Sequence, residues 1–115
     1  MRVTSAFFVS ALVRRVFAAG GFAAVEKKGA EEAGAIFIRM VKRDGRVTLF
    51  APADQASAAE ASEPLLGGRL FQIRLMDVEN AETAALLERE RRFDPDLWIV
   101  ELEVEDIGDL LSVAA

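Results

Sequence analysis

The dipeptide Asp44-Gly45 constrains the fold of this chain more than any other short feature. It separates two runs rich in β-branched and aromatic residues, AIFIRMVK at 35–42 and RVTLF at 46–50. An Asp-Gly pair readily adopts the positive φ angles that a tight hairpin turn requires. The pattern therefore predicts a β-hairpin, and with it a fold that contains an antiparallel pair of strands.

Two other segments show the three- and four-residue spacing of apolar side chains that indicates an amphipathic helix. The first covers residues 5–19, and the pair Gly20-Gly21 that follows it is a helix stop. The second covers residues 80–92, for which Asn80 is the predicted N-cap. The chain is therefore predicted to hold two helices.

Residues 70–76 and 97–105 alternate between apolar and polar side chains, as half-buried strands do. The side chains predicted to point inward are Phe71, Ile73, Leu75, Trp98, Val100, Leu102 and Val104. The run FAAVEKK at 22–28 is a shorter and weaker strand signal. Residues 51–68 are rich in Ala, Ser and Glu and contain two prolines and a closing glycine pair, a composition typical of a flexible loop.

The order helix, weak strand, hairpin, strand, helix, strand predicts an α+β fold. We expect a single mostly antiparallel sheet of four or five strands, with two helices packed on one face. Residues 1–115 are predicted to form one domain, with the flexible loop at about 51–68 and a short C-terminal tail at about 106–115. The strand, helix and strand of the C-terminal half can form one crossover unit, which is right-handed if its strands are parallel.

The composition excludes several classes of chemistry. The chain has neither cysteine nor histidine among its 115 residues. Disulfides, thiolate metal sites, cysteine nucleophiles, serine–histidine triads and imidazole ligands are therefore ruled out. Carboxylate, lysine or backbone chemistry remains, so the sequence favours a non-catalytic protein and predicts no cofactor. Just over half of the residues are hydrophobic, which is enough for a core without metal or disulfides.

Charge is distributed unevenly along the chain. Residues 1–50 hold nine Lys/Arg against four Asp/Glu, whereas residues 51–115 hold five against fifteen. The residues that would form a basic patch for a phosphate or a nucleic acid are Arg14, Arg15, Lys27 and Lys28. The net charge is −5 and no recognition motif is present, so we do not expect a nucleic acid as partner.

The N-terminal segment MRVTSAFFVSALVRR begins with a positive charge followed by an apolar stretch, as targeting signals do. The stretch is short, contains three hydroxyl side chains and runs into Arg14-Arg15 instead of a small-residue cleavage site. Nowhere in the sequence is there an apolar segment long enough to span a bilayer. The sequence therefore predicts a cytoplasmic protein without a membrane partner.

The stretch ERERRFDPDLW at 88–98 combines four carboxylates, three arginines, a proline and the only tryptophan of the chain. In a structural interpretation, Asp94-Pro95-Asp96 ends the helix and turns the chain, because proline cannot donate a backbone hydrogen bond and aspartates cap amides. In a functional interpretation, the stretch binds a small anion or a divalent cation. The residues of that candidate site are Arg91, Arg92, Asp94 and Asp96. A calcium loop needs a longer set of oxygens, so we favour the structural interpretation, with Trp98 buried.

Four segments together resemble one bacterial family. They are VSALVRRVFAAGGFAAV, GAEEAGAIFIRM, DGRVTLF and above all RRFDPDLWIVELE, and the string from Phe93 to Trp98 is the most specific part. This combination resembles the family of short bacterial proteins catalogued as domain of unknown function 1491. The resemblance covers nearly the whole chain apart from 51–68 and the tail. It implies a bacterial cytosolic protein, and it supplies no activity, cofactor or catalytic residue.

Our first functional hypothesis is a non-catalytic protein-interaction module that self-associates. Strands 35–42, 70–76 and 97–105 carry apolar residues on both faces. If both helices cover one face of the sheet, the other apolar face needs a second copy or another protein to cover it. The alternative hypothesis is the small-anion or divalent-cation site described above, with phosphate-ester chemistry as one use of it.

Overall fold

The computed structural model describes residues 3–53 and 68–114 of the chain. Two helices and six strands follow one another along these residues. In chain order they are α1 (Ser5–Ala18), β1 (Phe22–Lys27), β2 (Ile36–Val41), β3 (Val47–Pro52), β4 (Leu70–Val78), α2 (Asn80–Phe93), β5 (Trp98–Glu103) and β6 (Ser112–Val113). The α+β class predicted from the sequence is confirmed.

The strands form one mixed six-stranded sheet in the order β1-β5-β2-β3-β4-β6. Three neighbouring pairs are antiparallel, whereas β2–β5 and β4–β6 are parallel. The expectation of four or five mostly antiparallel strands was therefore wrong. The reason lies in α2, which carries the chain from β4 back across the sheet, so that β5 inserts between β1 and β2 and runs parallel to β2.

The two helices lie on opposite faces of the sheet, which corrects the prediction that both pack on one face. On the face covered by α1, Leu12 and Val16 belong to one core cluster with Ile38 and Val100. On the face covered by α2, the cluster is Phe37, Leu49, Ala51, Leu86, Leu87, Leu97 and Ile99. This arrangement explains why the central strands carry apolar residues on both faces. Each face of the sheet is covered by one helix.

The predicted hairpin is present. Strands β2 and β3 pair antiparallel from Ile38 opposite Phe50 to Val41 opposite Val47. Gly45 adopts φ +85°, and the Asp44 carboxylate accepts a hydrogen bond from the Arg46 backbone N–H at 2.9 Å. The pair therefore forms the turn as predicted, but only Gly45 takes the positive φ angle, and Asp44 contributes through its side-chain hydrogen bond.

Strand β4 departs from simple alternation. Phe71 belongs to the core on the α1 face, but an irregularity in its pairing with β3 brings Leu75 opposite Leu49, on the α2 face. The expectation that Phe71, Ile73 and Leu75 share a face was wrong. A β-bulge inserts an extra residue, which reverses the side-chain pattern beyond it.

The start of α2 also differs from the prediction. Asn80 is the first helical residue instead of the N-cap, and the cap residue Glu79 makes no side-chain capping bond. The Asn80 side-chain oxygen accepts a hydrogen bond from Arg39 of β2 instead. A tertiary contact has therefore taken the oxygen that a local cap would use.

The residues after β5, expected as a tail, pack onto the α1 face. Leu110 and Leu111 are buried in its core, and Ser112–Val113 form β6 beside the beginning of β4. Of the segment predicted as a flexible loop, Ala51 and Pro52 belong to the end of β3. Residues 54–67 of that segment lie outside the described residues.

Candidate functional site

The chemically rich string FDPDLW forms the turn that joins α2 to β5. The Asp94 carboxylate accepts a hydrogen bond from the Asp96 backbone N–H at 3.1 Å, and the Asp94 backbone N–H donates to the Glu90 carbonyl at 2.9 Å. The Leu97 backbone N–H donates to the Asp94 carbonyl at 3.3 Å. Asp94 therefore acts as the turn and cap residue that the structural interpretation predicted.

Lys27, at the end of β1, holds this turn from the other side. Its ammonium group donates to the Pro95 carbonyl oxygen at 2.6 Å and to the Leu97 carbonyl oxygen at 3.0 Å. A hydrogen bond from a charged donor is stronger than one between neutral groups. The Lys27 ammonium group is therefore bound to the turn. It is not free to contribute to the basic patch of Arg14, Arg15, Lys27 and Lys28 that the sequence suggested.

The loop between β1 and β2 packs against the same turn. The Ala30 backbone N–H donates to the Asp96 carbonyl at 2.8 Å. A Cβ atom on Gly29 would overlap the Asp96 carbonyl oxygen, and one on Gly34 would lie 2.5 Å from it. The two backbones approach so closely that these positions have room only for glycine. We call the contact of residues 29–34 with residues 94–98 the junction.

Trp98 completes the junction. It is 4% exposed, its indole N–H donates to the Ala30 carbonyl at 2.8 Å, and its backbone N–H donates to the Ala35 carbonyl at 2.7 Å. A buried tryptophan needs a partner for its indole N–H, and the loop supplies one. The prediction that Trp98 is buried is confirmed.

The four residues of the candidate site do not converge. Arg91, Arg92 and Asp96 are exposed, and only the Asp94 carboxylate has a hydrogen-bond partner within the described residues. Arg91 lines a small cavity of about 250 Å³ with Arg39 and other residues of the α2 face. Within residues 3–53 and 68–114, no group of three or more Asp or Glu side chains is placed to hold a metal ion.

Arg39 is the centre of a polar network that the sequence did not single out. Its guanidinium donates to the carboxylates of Glu26 and Glu101, each at 2.8 Å, and to the Asn80 side chain. The arginine side chain is only 14% exposed, so these partners satisfy a largely buried charge. The one available signal was a single arginine within the apolar run IFIRMV. The network ties β1, β5 and the start of α2 to β2.

A second ion pair lies at the opposite end of the hairpin. The Lys42 ammonium is 2.7 Å from the Asp77 carboxylate, and Arg46 is 3.6 Å from it. The hydrogen bond from Lys42 lowers the pKa of Asp77 below its usual value, and the same bond raises the pKa of Lys42. Asp77 has φ +54° and occupies the irregular end of β4. The pair stabilises that bend rather than forming a site for chemistry.

Most of the large hydrophobic side chains that are exposed within the described residues lie on α1 and β1. Phe7 and Phe17 of α1 are 58% and 51% exposed, and Phe22 and Val25 of β1 are each 45% exposed. The rings of Phe17 and Phe22 stack edge to face, with their centroids 5.6 Å apart. We call this region the α1–β1 surface. The sequence pattern places these side chains on a helix and a strand but does not indicate that they face solvent.

A groove of about 620 Å³ runs along this surface between α1 and the end of β1. Its apolar lining comes from Ala6, Val9, Val13, Val25 and Trp98, and its polar rim from Ser10, Arg14, Lys28 and Glu31. Lys28 and Glu31 form an exposed ion pair at 3.6 Å, whereas Arg14 has no ion pair within the described residues. The groove therefore combines an apolar floor with one uncompensated cation.

Other exposed apolar side chains are more scattered. Ile73 and Met76 lie on β4, and Phe93 lies at the end of α2. Arg74 and Asp77 add charges to β4, and the bulge interrupts its regular edge, features that oppose pairing with another strand. Neither described helix has the length and apolar character needed to cross a membrane. The cytoplasmic location stays a prediction from the sequence.

The fold and the site together describe a small α+β protein with a two-faced mixed sheet, a closed junction and one open apolar surface. The model of the family described as protein of unknown function (DUF1491) matches residues 3–112. The chain belongs to this family, as the resemblance in its motifs indicated.

Solved structures agree with this assignment. The chain is similar to a protein from A. tumefaciens known from a solution structure, with 61% identity, a TM-score of 0.84 and coverage of 98% of this chain and 95% of that one. It is also similar to a DUF1491 family protein from Caulobacter crescentus CB15, known from a crystal structure, with 30% identity, a TM-score of 0.78 and full coverage of both chains. No protein with a curated description matches the chain.

Proposed function

We propose that this protein is a non-catalytic interaction module that self-associates through the α1–β1 surface. The observation that supports the proposal most is the concentration of exposed apolar side chains there. Four of the seven large hydrophobic side chains exposed within the described residues lie on this surface, and one of them, Val25, lines an apolar groove. Clustered apolar side chains mark interaction sites more often than isolated exposed residues do, and two of these four, Phe17 and Phe22, are in direct contact.

The basis of the proposal differs from the one that the sequence suggested. Leu97 and Ile99 were expected to lie on an uncovered face of the sheet, but α2 buries them. The uncovered area is instead the outer side of α1 together with the edge strand β1. A second copy presents the same surface, so a two-fold arrangement covers both copies at once. Complete burial of one phenylalanine side chain contributes roughly 1.5–3 kcal/mol.

The alternative, an anion or cation site at Arg91, Arg92, Asp94 and Asp96, has less support. Asp94 is engaged in the turn, and the side chains of the other three point to solvent without a shared cavity. Of these four residues, only Arg91 lines the small cavity on the α2 face. Exposed charges that do not converge bind ligands weakly, because solvent screens them.

The test is the mass in solution. Light scattering during size exclusion at micromolar concentration is expected to give twice the chain mass of 12.5 kDa. Phe17→Glu is expected to give the monomer mass, because it places a charge where the proposed interface buries an aromatic ring. Met76→Glu, at an apolar position on β4 that is also more than half exposed, is the matched control and should leave the dimer intact. A monomer mass for the unmodified protein would overturn the proposal.

A further inference from the structure

The exposed side of α1 carries a pattern that specifies how a second copy would pack. Ala6, Ser10, Val13 and Phe17 follow one another at spacings of four, three and four residues. This spacing places them in one row along a helix, the arrangement of side chains that form a seam between two helices. Ser10 and Phe17 are exposed and Ala6 and Val13 are partly exposed, so nothing within the described residues covers the row fully. We call this row the α1 seam.

The α1 seam is complementary to itself when two copies run antiparallel. In that orientation Ala6 faces the partner's Phe17, and Ser10 faces the partner's Val13. Each contact therefore sets a small side chain against a larger one, which lets the helices approach closely. In a parallel pair, like positions would meet, so that two phenylalanines would crowd one end and two alanines would leave a gap at the other.

The groove provides space for the aromatic side chains of the partner. It extends along α1 from Ala6 to Arg14, whereas the stacked pair of Phe17 and Phe22 lies beyond it, at the C-terminal end of the helix. An antiparallel partner brings its own aromatic pair to the groove. A cavity of about 150 Å³ accommodates one benzene ring, so a groove of about 620 Å³ has room for both rings.

Charge favours the same orientation. Glu31 and Glu32 are fixed beside the start of α1, because their carbonyl groups accept hydrogen bonds from the Ala6 and Ser5 backbone N–H groups at 2.9 and 3.1 Å. Arg14 lies in the second half of the helix and has no ion pair within the described residues. Lys28 offsets one of these two carboxylates through its ion pair with Glu31, so one negative charge remains, and in an antiparallel pair this end of one copy lies next to the partner's Arg14. A parallel pair would bring like charges together.

From these features we infer that the occupant of the groove is a second copy of this chain. The two α1 helices pack antiparallel about a two-fold axis near residues 11–12, and each copy seats Phe17 and Phe22 in the other's groove. The inference rests on the proposed function, because it specifies the geometry of the self-association proposed above.

Cysteine cross-linking tests this geometry directly, since the chain has no native cysteine. Ser10→Cys and Val13→Cys chains are mixed and oxidised, and peptide mass spectrometry identifies which cysteines are joined. The mixed Ser10→Cys with Val13→Cys disulfide is expected to form at least about tenfold faster than a disulfide between two Ala18→Cys chains, because facing seam positions lie within disulfide distance. Ala18 is the matched control, as it is exposed on the same helix but off the α1 seam.

A charge exchange provides a second measurement with a different readout. Arg14→Glu is expected to raise the dimer Kd roughly tenfold, and adding Glu31→Arg to the same chain is expected to restore most of the affinity. A dimer by light scattering in which Ala18→Cys cross-links as fast as the seam pair would overturn the antiparallel geometry while leaving self-association in place. If the protein is a dimer but Glu31→Arg does not restore the affinity lost in Arg14→Glu, the antiparallel geometry is also contradicted. A monomer would overturn both the geometry and the proposed function.

Discussion

The junction and the α1–β1 surface differ in composition and in what their side chains contact. The junction includes the end of the stretch 88–98, which is rich in charged and aromatic residues, yet the contacts of residues 94–98 are internal hydrogen bonds that fix one turn. The α1–β1 surface consists of three phenylalanines and a valine, yet it faces solvent. The stretch richest in charged and aromatic residues is therefore not the proposed interacting surface. Its polar groups bind backbone partners within the chain, whereas the apolar side chains of α1 and β1 stay exposed.

The largest effect on stability is expected from Trp98→Ala. This change removes a buried side chain and the donor to Ala30, and should cost about 3–5 kcal/mol in unfolding free energy. Trp98→Phe retains most of the packing and loses only the donor, so it should cost less. Urea denaturation measures both. A cost below about 1 kcal/mol for Trp98→Ala would show that the junction is not part of the stabilising core.

The next effect in size is expected from Gly29→Ala. A Cβ atom there meets the backbone of Asp96 and Leu97, which cannot move without opening the junction, so we expect a loss of about 3 kcal/mol. Gly108→Ala is the control, because Gly108 has φ +49° but open space around it, and should cost about 1 kcal/mol. Equal losses in thermal melts would mean that the close approach at the junction does not matter.

Asp94→Ala should lower the unfolding free energy by about 1 kcal/mol through loss of the turn hydrogen bond to Asp96. Asp94→Asn keeps an acceptor oxygen and should remain close to the unmodified protein. Melting curves with magnesium, manganese and calcium decide between the two interpretations of this turn. A metal-dependent rise in the melting temperature that disappears in both Asp94→Asn and Asp96→Asn would favour the cation site instead.

Phe17→Ala should have little effect on the stability of the monomer. Its ring is half exposed and its aromatic contact is with Phe22, so at concentrations where the protein is monomeric we expect a loss below about 1 kcal/mol. The same variant should still abolish the dimer at micromolar concentration. A large loss of monomer stability would show that Phe17 stabilises the folded monomer. The α1–β1 surface would then be part of the stabilising core, as the junction is.

The smallest effect is expected from Asp77→Asn, which removes the ion pair with Lys42 while keeping a residue that tolerates positive φ. The pKa of Asp77 is lowered in the folded state from its usual value of 3.8. The ion pair therefore stabilises the fold above pH 3.8, and this stabilisation is lost as pH falls through the lowered pKa. The pKa of Lys42 is raised from its usual value of 10.5. The same stabilisation is therefore complete below pH 10.5 and is lost as pH rises through the raised pKa. Melts of both proteins across pH should therefore differ slightly between these limits and converge outside them. A constant difference at all pH values would contradict this account.

Local features were predictable because their causes are local. The hairpin follows from the preference of Asp44-Gly45, and the burial of Trp98 follows from the alternation along β5. The turn at Asp94 follows from the chemistry of its own neighbours.

Only the tertiary structure decided how these elements are arranged. The insertion of β5 between β1 and β2, the placement of α1 and α2 on opposite faces and the engagement of Lys27 with the Pro95 and Leu97 carbonyls all join residues far apart in the chain. Helical or strand periodicity identifies an apolar face but not the element that will cover it. For the same reason the sequence placed the uncovered apolar area on the sheet, whereas the fold covers both faces of the sheet and leaves the outer side of α1 exposed.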